Sequence, residues 1–293
     1  MEGDASRASR DWLAHPLTGQ LFPSPVPPGT GWPGDPATAQ TPVARSPQGV
    51  RRLAAGTELA QLDARVSVCA ACPRLVGWRE QVAREKRAAY AAEPYWGRPA
   101  PGFGDPEATI AVIGLAPAAN GANRTGRVFT GDPSSDWLFA SLHRVSLAAI
   151  GTSEHAGDGQ RLRGVRIFAG VRCAPPDNKP SPVERDTCAP WATRELALLL
   201  PTLRVVVALG AFGWAAALSS LGETGFVVPR PRPKFGHGHE VALAAGQGGG
   251  EVTLLGCFHP SPRNTSTKRL TAEMTDDIFV RAQALAHGEP GES

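Results

Sequence analysis

Apolar and polar positions follow two rhythms along most of this chain, and their alternation predicts an architecture. TIAVIGLA (109–116), GVRIFAGVRC (164–173), RVVVALG (204–210) and EVTLLGCFHP (251–260) are short, nearly continuous apolar runs. Runs of that length suit strands buried on both faces of a sheet. Helical spacing marks TELAQLDARVSV (57–68), WREQVAREKRAAYAAE (78–93), SSDWLFASLHRVSLAAI (134–150), VERDTCAPWATRELALLL (183–200), AFGWAAALSSLG (211–222) and TKRLTAEMTDDIFVRAQALAH (267–287). FGHGHEVAL (235–243) is a weaker strand. Strands alternating with helices predict an α/β chain whose mainly parallel sheet is covered on both faces. Ligands of such sheets bind beyond the carboxyl ends of the strands. Two polar motifs follow strands at that edge, GLAPAANGANRTGRVFTGD (114–132) and FHPSPRN (258–264).

The periodic pattern starts at Thr57. Residues 1–50 hold nine prolines and include SPVPPGTGWPGDP, a composition that favours a disordered tail or an extended arm over helix or sheet. Leu21, Phe22 and Trp32 favour the arm, because apolar residues gain by docking. The expected organisation is an N-terminal arm (1–50), one catalytic-size domain (51–288) and a short tail (289–293). No internal repeat is visible. With no apolar run near the ~20 residues of a membrane helix and no secretion signal at the start, the chain reads as cytoplasmic. Its five cysteines are then not expected to be disulfides.

Net charge is only +3, too small to argue for nucleic acid by itself. The distribution adds something. Arg161, Arg163, Arg166 and Arg172 form one basic segment, Arg230, Arg232 and Lys234 another, and Arg263, Lys268 and Arg269 a third. Each fits either a phosphate-tracking surface or a solvated face.

Cys69 and Cys72 form C-x2-C, 100 residues before Cys173, which itself precedes Cys188 by 14 intervening residues. Four such cysteines fit a closed thiolate site, either zinc or [4Fe–4S], and the spread spacing leans toward the cluster. A redox dithiol is weaker, since the pair does not follow a strand of a βαβ unit. Cys257 sits in an apolar strand and reads as a core thiol.

The glycine-rich motif lacks the Gly-Lys-Ser/Thr ending of a phosphate loop. His259 ends a strand within a loop stiffened by Pro260 and Pro262. Asp132 closes the first motif and also suits a cap for the helix that follows. Asn178, in APPDNKPSP, fits either a site or a turn. His237 and His239 have metal-like spacing, but more simply line one face of a polar strand. There is no G-x-S-x-G and no H-E-x-x-H.

Taken together, GLAPAANGANRTGRVFTGD, RCAPPDNKP and FHPSPRN, with Cys69, Cys72, Cys173 and Cys188, resemble a family 5 (type B) uracil-DNA glycosylase over roughly residues 57–287. The resemblance implies a three-layer α/β/α sandwich and a structural [4Fe–4S] cluster on those four cysteines. It implies a DNA-repair enzyme that flips uracil, and other deaminated bases such as hypoxanthine, out of DNA and hydrolyses the N-glycosidic bond. Asp132, His259 and Asn178 are the expected catalytic residues. Gly114, Ala116, Phe129 and Asn120 would meet the base. Arg124, Arg127, Ser261, Arg263 and Asn264 would meet DNA, although the two first-motif arginines suit holding the loop as well. Gly114-Leu115-Ala116-Pro117-Ala118-Ala119 carries no acid where many relatives in the wider superfamily place one. The expected state is a monomer, in the cytoplasm and on the nucleoid when acting on DNA. Competing readings are a non-catalytic, cluster- or zinc-stabilised DNA-binding module and a phosphate-loop nucleotide enzyme.

Overall fold

A computed structural model describes residues 12–246 and 250–288. The expected tail, 289–293, and the first eleven residues of the arm lie outside the described residues. The arm contributes β1 (Leu13–Ala14) and β2 (Leu21–Phe22), followed by helices α1 (Pro47–Ala54), α2 (Leu59–Ser67) and α3 (Pro73–Glu85). The body then runs β3 (Phe103–Gly104), β4 (Ile110–Gly114), α4 (Ala122–Thr125), α5 (Pro133–Arg144), β5 (Val165–Ala169), α6 (Pro182–Leu199), β6 (Val205–Leu209) and α7 (Gly210–Glu223). It closes with β7 (Glu240–Ala244), β8 (Glu251–Cys257), α8 (Pro262–Ser266) and α9 (Ala272–Ala286).

Six strands form one sheet in the order β3-β5-β4-β6-β8-β7. The central four are mutually parallel, and the two edge strands pair antiparallel. Strand alternation sends successive side chains to opposite faces. Ile110 and Val112 therefore join Leu138 and Phe139 of α5 and Phe279 of α9 in one buried layer. Ala111 and Ile113 join Leu196 of α6 and Trp214 and Leu218 of α7 in the other. Covering both faces explains why these strands read as continuous apolar runs. The three-layer α/β/α arrangement follows directly.

Several element ends differ from the sequence expectation. The helix expected over 78–93 is α3, which begins at Pro73 and stops where Lys86 takes φ +54. The helix expected over 134–150 ends at Arg144, and Ser146 with φ +67 turns the chain. His237 and His239 precede β7, in a turn and not on a strand face. His237 Nδ1 accepts from Phe258 N (3.1 Å), and His239 stacks on Trp214.

Residues 12–46 lie across the body. Phe22, Val26 and Trp32 are buried with Trp96 and Ala156, whereas Leu21 is exposed. Asp35 pairs with buried Arg98 (2.6 Å), and Trp32 Nε1 donates to Thr125 O (3.3 Å). α1 straddles residue 50, so no boundary falls there. The segment 161–172 divides, with Arg161 and Arg163 exposed and its other two arginines inside. Arg166 and Arg172 are buried beside Glu195, and Arg166 also pairs with Asp63 (2.8 Å).

Candidate active site

The first motif leaves β4 at Gly114 and returns to the sheet edge as the cap of α5. Gly114 has a steric reason. A Cβ there would lie 2.6 Å from Cζ of Phe129, so the ring rests directly on the strand end. Phe129 itself has φ +47, a left-handed conformation that costs a non-glycine residue on the order of 1–3 kcal/mol. That strain is sustained by a dense frame. Arg127 donates to Thr130 Oγ1 (2.9 Å), Ser153 Oγ (2.8 Å) and Asp158 Oδ1 (2.7 Å). Arg124 pairs with Glu93 (2.6 Å), donates to Asn120 O and Gly131 O (2.9 Å each), and lies over the Tyr90 ring.

Those contacts correct the expectation that Arg124 and Arg127 meet DNA. Both are buried, and both are spent on internal partners. They hold the loop. Asn120 is fixed as well, its Oδ1 accepting from Tyr95 Oη (3.0 Å). Ala116 packs toward the cysteine-bearing core. Tyr95, Ser153 and Asp158 were not visible as site residues in the sequence. A buried arginine demands a carboxylate, but its sequence position cannot be read from spacing.

Asp132 is the N-cap of α5. Its Oδ1 accepts from Ser134 N (2.9 Å) and Ser135 N (3.1 Å), and Ser135 Oγ returns a contact to Asp132 N. Oδ2 faces Gly121, where a Cβ would come within 2.1 Å of it. Burial pushes the carboxyl pKa up, against the two cap hydrogen bonds, which lower it. The same residue therefore caps a helix and presents one carboxylate oxygen over the glycine turn.

His259 stands at the end of β8, its ring centroid 6.2 Å from that of Phe129. Burial lowers its pKa to about 4, so the imidazole is neutral near pH 7. Gly210, with φ +75, begins α7 beside it; a Cβ there would be 3.2 Å from His259 Cβ. Asn264 Nδ2 donates to His259 O (2.9 Å), so this amide braces the histidine's backbone. Ser261 N also donates to His259 O, and Ser261 occupies the cap position of α8 without a side-chain cap bond. Arg263 is exposed on α8. Asn178 is exposed too, on a turn with φ +54 that follows β5.

All four paired cysteines border one small internal cavity, together with Arg79 and Trp191. Arg79 Nη1 donates to Cys173 Sγ (3.0 Å), and Arg172 N donates to Cys188 Sγ (3.3 Å). Among the described residues, no three His, Cys, Asp or Glu groups converge on a single-ion position. Cys257 is fully buried in the sheet core, separate from this cavity.

A mainly parallel sheet brings an aromatic ring, a neutral histidine and a helix-capping carboxylate to the loops beyond its strand ends, groups that suit more than one chemistry. Comparison with known proteins narrows this. Residues 101–283 match the family model described as the uracil DNA glycosylase superfamily, and the chain belongs to that superfamily. A protein of Mycobacterium bovis named type-5 uracil-DNA glycosylase is 54% identical over 273 residues, covering 93% of this chain and 98% of that one. Proteins of the same name from Thermus thermophilus (48% over 221 residues; 75% and 95% covered) and Pyrobaculum aerophilum (44% over 218 residues; 74% and 89% covered) are also similar. No described helix is long and apolar enough to cross a membrane.

Proposed function

We propose that this chain excises uracil from DNA as a type-5 uracil-DNA glycosylase. The observation that carries the reading is the Phe129 ring held against Gly114 and 6.2 Å from the His259 ring, with Asp132 three residues on as the cap of α5, within a match that spans nearly the whole chain. A base in duplex DNA is out of reach, so the nucleotide is flipped into the pocket. Phe129 offers a face for stacking, and Gly114 lets that ring rest against the strand end. The bond between C1′ and the base nitrogen breaks with its electron pair leaving on the base. Water then adds its oxygen to C1′ and loses a proton. Neutral His259 donates a hydrogen bond to the base carbonyl oxygen as negative charge develops there, an interaction of the oxyanion-hole type. Oδ2 of Asp132 favours the cationic sugar and orients the water, as carboxylates do in glycoside hydrolysis. Asn178 lies on an exposed turn, and its contact with base or water rests on the resemblance alone. Ser261 and Arg263 face the DNA from α8.

The cysteine cavity fits a [4Fe–4S] cluster better than zinc. Four thiols share one cavity without converging on one point, and two N–H donors already point at sulfur, as in the surroundings of iron–sulfur clusters. When bound, such a cluster ties Cys69 and Cys72, at the start of α3, to Cys173 after β5 and Cys188 in α6. Hypoxanthine as a further substrate, a monomeric state and a cytoplasmic, nucleoid-associated site of action complete the proposal.

The test incubates purified protein with a labelled uracil oligonucleotide and cleaves abasic sites with alkali, beside His259→Ala and a hypoxanthine substrate. Strand scission only after alkali, sharply reduced in His259→Ala, is expected. DNA binding without product on any deaminated base would leave a non-catalytic DNA-binding module. Iron analysis and the visible absorption of protein purified without oxygen test the cluster; one zinc and no iron would refute it.

A further inference from the structure

A second groove opens on the same edge of the sheet, between α6 and α7. It has a volume of about 270 Å³ and is lined by Leu115, Arg185, Phe212, Ala216 and Arg232, with Asp186 at its rim. Asp132, Phe129 and His259 take no part in it; Leu115, beside Gly114, is the wall it shares with the first motif.

Three independent features point to the same class of ligand. Phe212 is a large aromatic side chain left 56% exposed on the first turn of a helix, at a position where burying it would be favourable. Arg185 holds its guanidinium 5.7 Å above that ring, and its buried Nε has no hydrogen-bond partner. α7, finally, starts with no side-chain cap and no acid in its first turn, so the positive end of its dipole is not offset by its own residues. That helix start is Gly210, the residue packed against His259. The groove thus begins two residues from the proposed reaction centre.

We infer that the α6–α7 groove is a subsite for a nucleotide flanking the flipped base, the base stacking on Phe212 and its phosphate held by Arg185 and Arg232. The inference rests on the glycosylase reading for its choice of DNA strand. The charge balance is favourable, two guanidiniums against Asp186, and the apolar floor of alanines suits a base face. A stacked base on an exposed aromatic ring is the usual sequence-tolerant way to hold a single strand. Arg185 and Arg232 would each displace about one counterion from that strand.

The test compares wild type with Phe212→Ala, Phe212→Trp and the double variant Arg185→Ala/Arg232→Ala on a uracil-containing trinucleotide and on a 20-mer single strand. Binding is measured by fluorescence anisotropy across a salt series, excision by alkali cleavage, and folding by thermal melting. Expected for Phe212→Ala is a roughly tenfold weaker Kd and higher KM on the 20-mer, with kcat unchanged and Phe212→Trp restored. The trinucleotide already carries the flanking nucleotide, so Phe212→Ala should weaken its binding as well. The arginine double variant should lower the slope of log K against log salt by about 1.4, near 0.7 for each lost contact. Equal affinity and equal salt slope for all variants on the 20-mer would overturn the subsite while leaving the glycosylase reading intact. Wild type that binds but never excises, with binding still lost in Phe212→Ala, would keep the subsite and sink the glycosylase reading.

Discussion

Replacing Asp132 by Asn separates two roles that meet on one carboxylate. Oδ1 accepts the backbone N–H groups of Ser134 and Ser135, and an asparagine oxygen can accept the same pair. Asn and Asp are near-equal N-caps. The loss to the helix is then confined to the charge–dipole attraction, about 0.3–1 kcal/mol. Part of that is returned, because burial already disfavours the charge at this position. Stability should therefore move by less than about 1 kcal/mol, a small change in melting temperature. Catalysis should move far more. A lost electrostatic contribution to the transition state costs on the order of 2.7–4 kcal/mol, about 100- to 1,000-fold in rate. Asp132→Ala serves as the reference: it loses the cap as well, about 1 kcal/mol, and should be both inactive and less stable. Single-turnover excision from a uracil oligonucleotide, read beside thermal melts, distinguishes the two. Asp132→Asn within about threefold of wild type would refute the catalytic role and leave Asp132 as a helix cap.

Arg127→Ala removes the guanidinium from a part-buried Asp158 carboxylate, which keeps the N–H groups of Glu154, His155 and Gln160, and should destabilise the protein by about 1–3 kcal/mol. The salt dependence of DNA binding by the remaining folded protein should not change; a slope reduced by about one would show that Arg127 touches phosphate after all. Gly114→Ala places a methyl group 2.6 Å from the Phe129 ring, so either the ring or the strand end must shift, at about 1–3 kcal/mol. Excision should fall sharply while long-oligonucleotide binding persists, and wild-type kcat in this variant would show that the ring position is not needed. His155 and His259 titrate near 3 and 4 in the folded chain, lowered first by burial, against an ordinary 6.5. Between pH 6.5 and 4 the unfolded chain thus binds more protons. Stability is full above pH 6.5 and falls on acidification, by up to about 1.4 kcal/mol per pH unit for each histidine. Urea melts from pH 7 to 5 would show it; a flat midpoint across that range would contradict the burial of both rings.

What the sequence disclosed, and what it withheld, follows from how local each signal is. β4, β5, β6 and β8 were legible because burial on both faces turns a strand into an uninterrupted apolar run, a property of consecutive residues. His259, Phe129 and Asp132 were nameable for the same reason: each sits inside a motif at a strand end. The fate of a charge is different. Arg124, Arg127, Arg166 and Arg172 share a composition with exposed Arg263, yet all four are buried against acids distant in sequence, 29 or more residues away for Arg124–Glu93, Arg127–Asp158, Arg166–Glu195 and Arg166–Asp63. Arg172 is 23 residues from the same Glu195 and no easier to pair by reading along the chain. A guanidinium that holds a loop and one that meets a phosphate look alike until the partner is located. The same holds for Trp32, which binds Thr125 O across 93 residues. Through that contact the proline-rich arm, unremarkable in periodicity, reaches the back of the loop carrying Phe129. The site is therefore specified in two parts: motifs that supply the reacting groups, and a long-range frame of buried ion pairs and one arm that fixes where those groups stand.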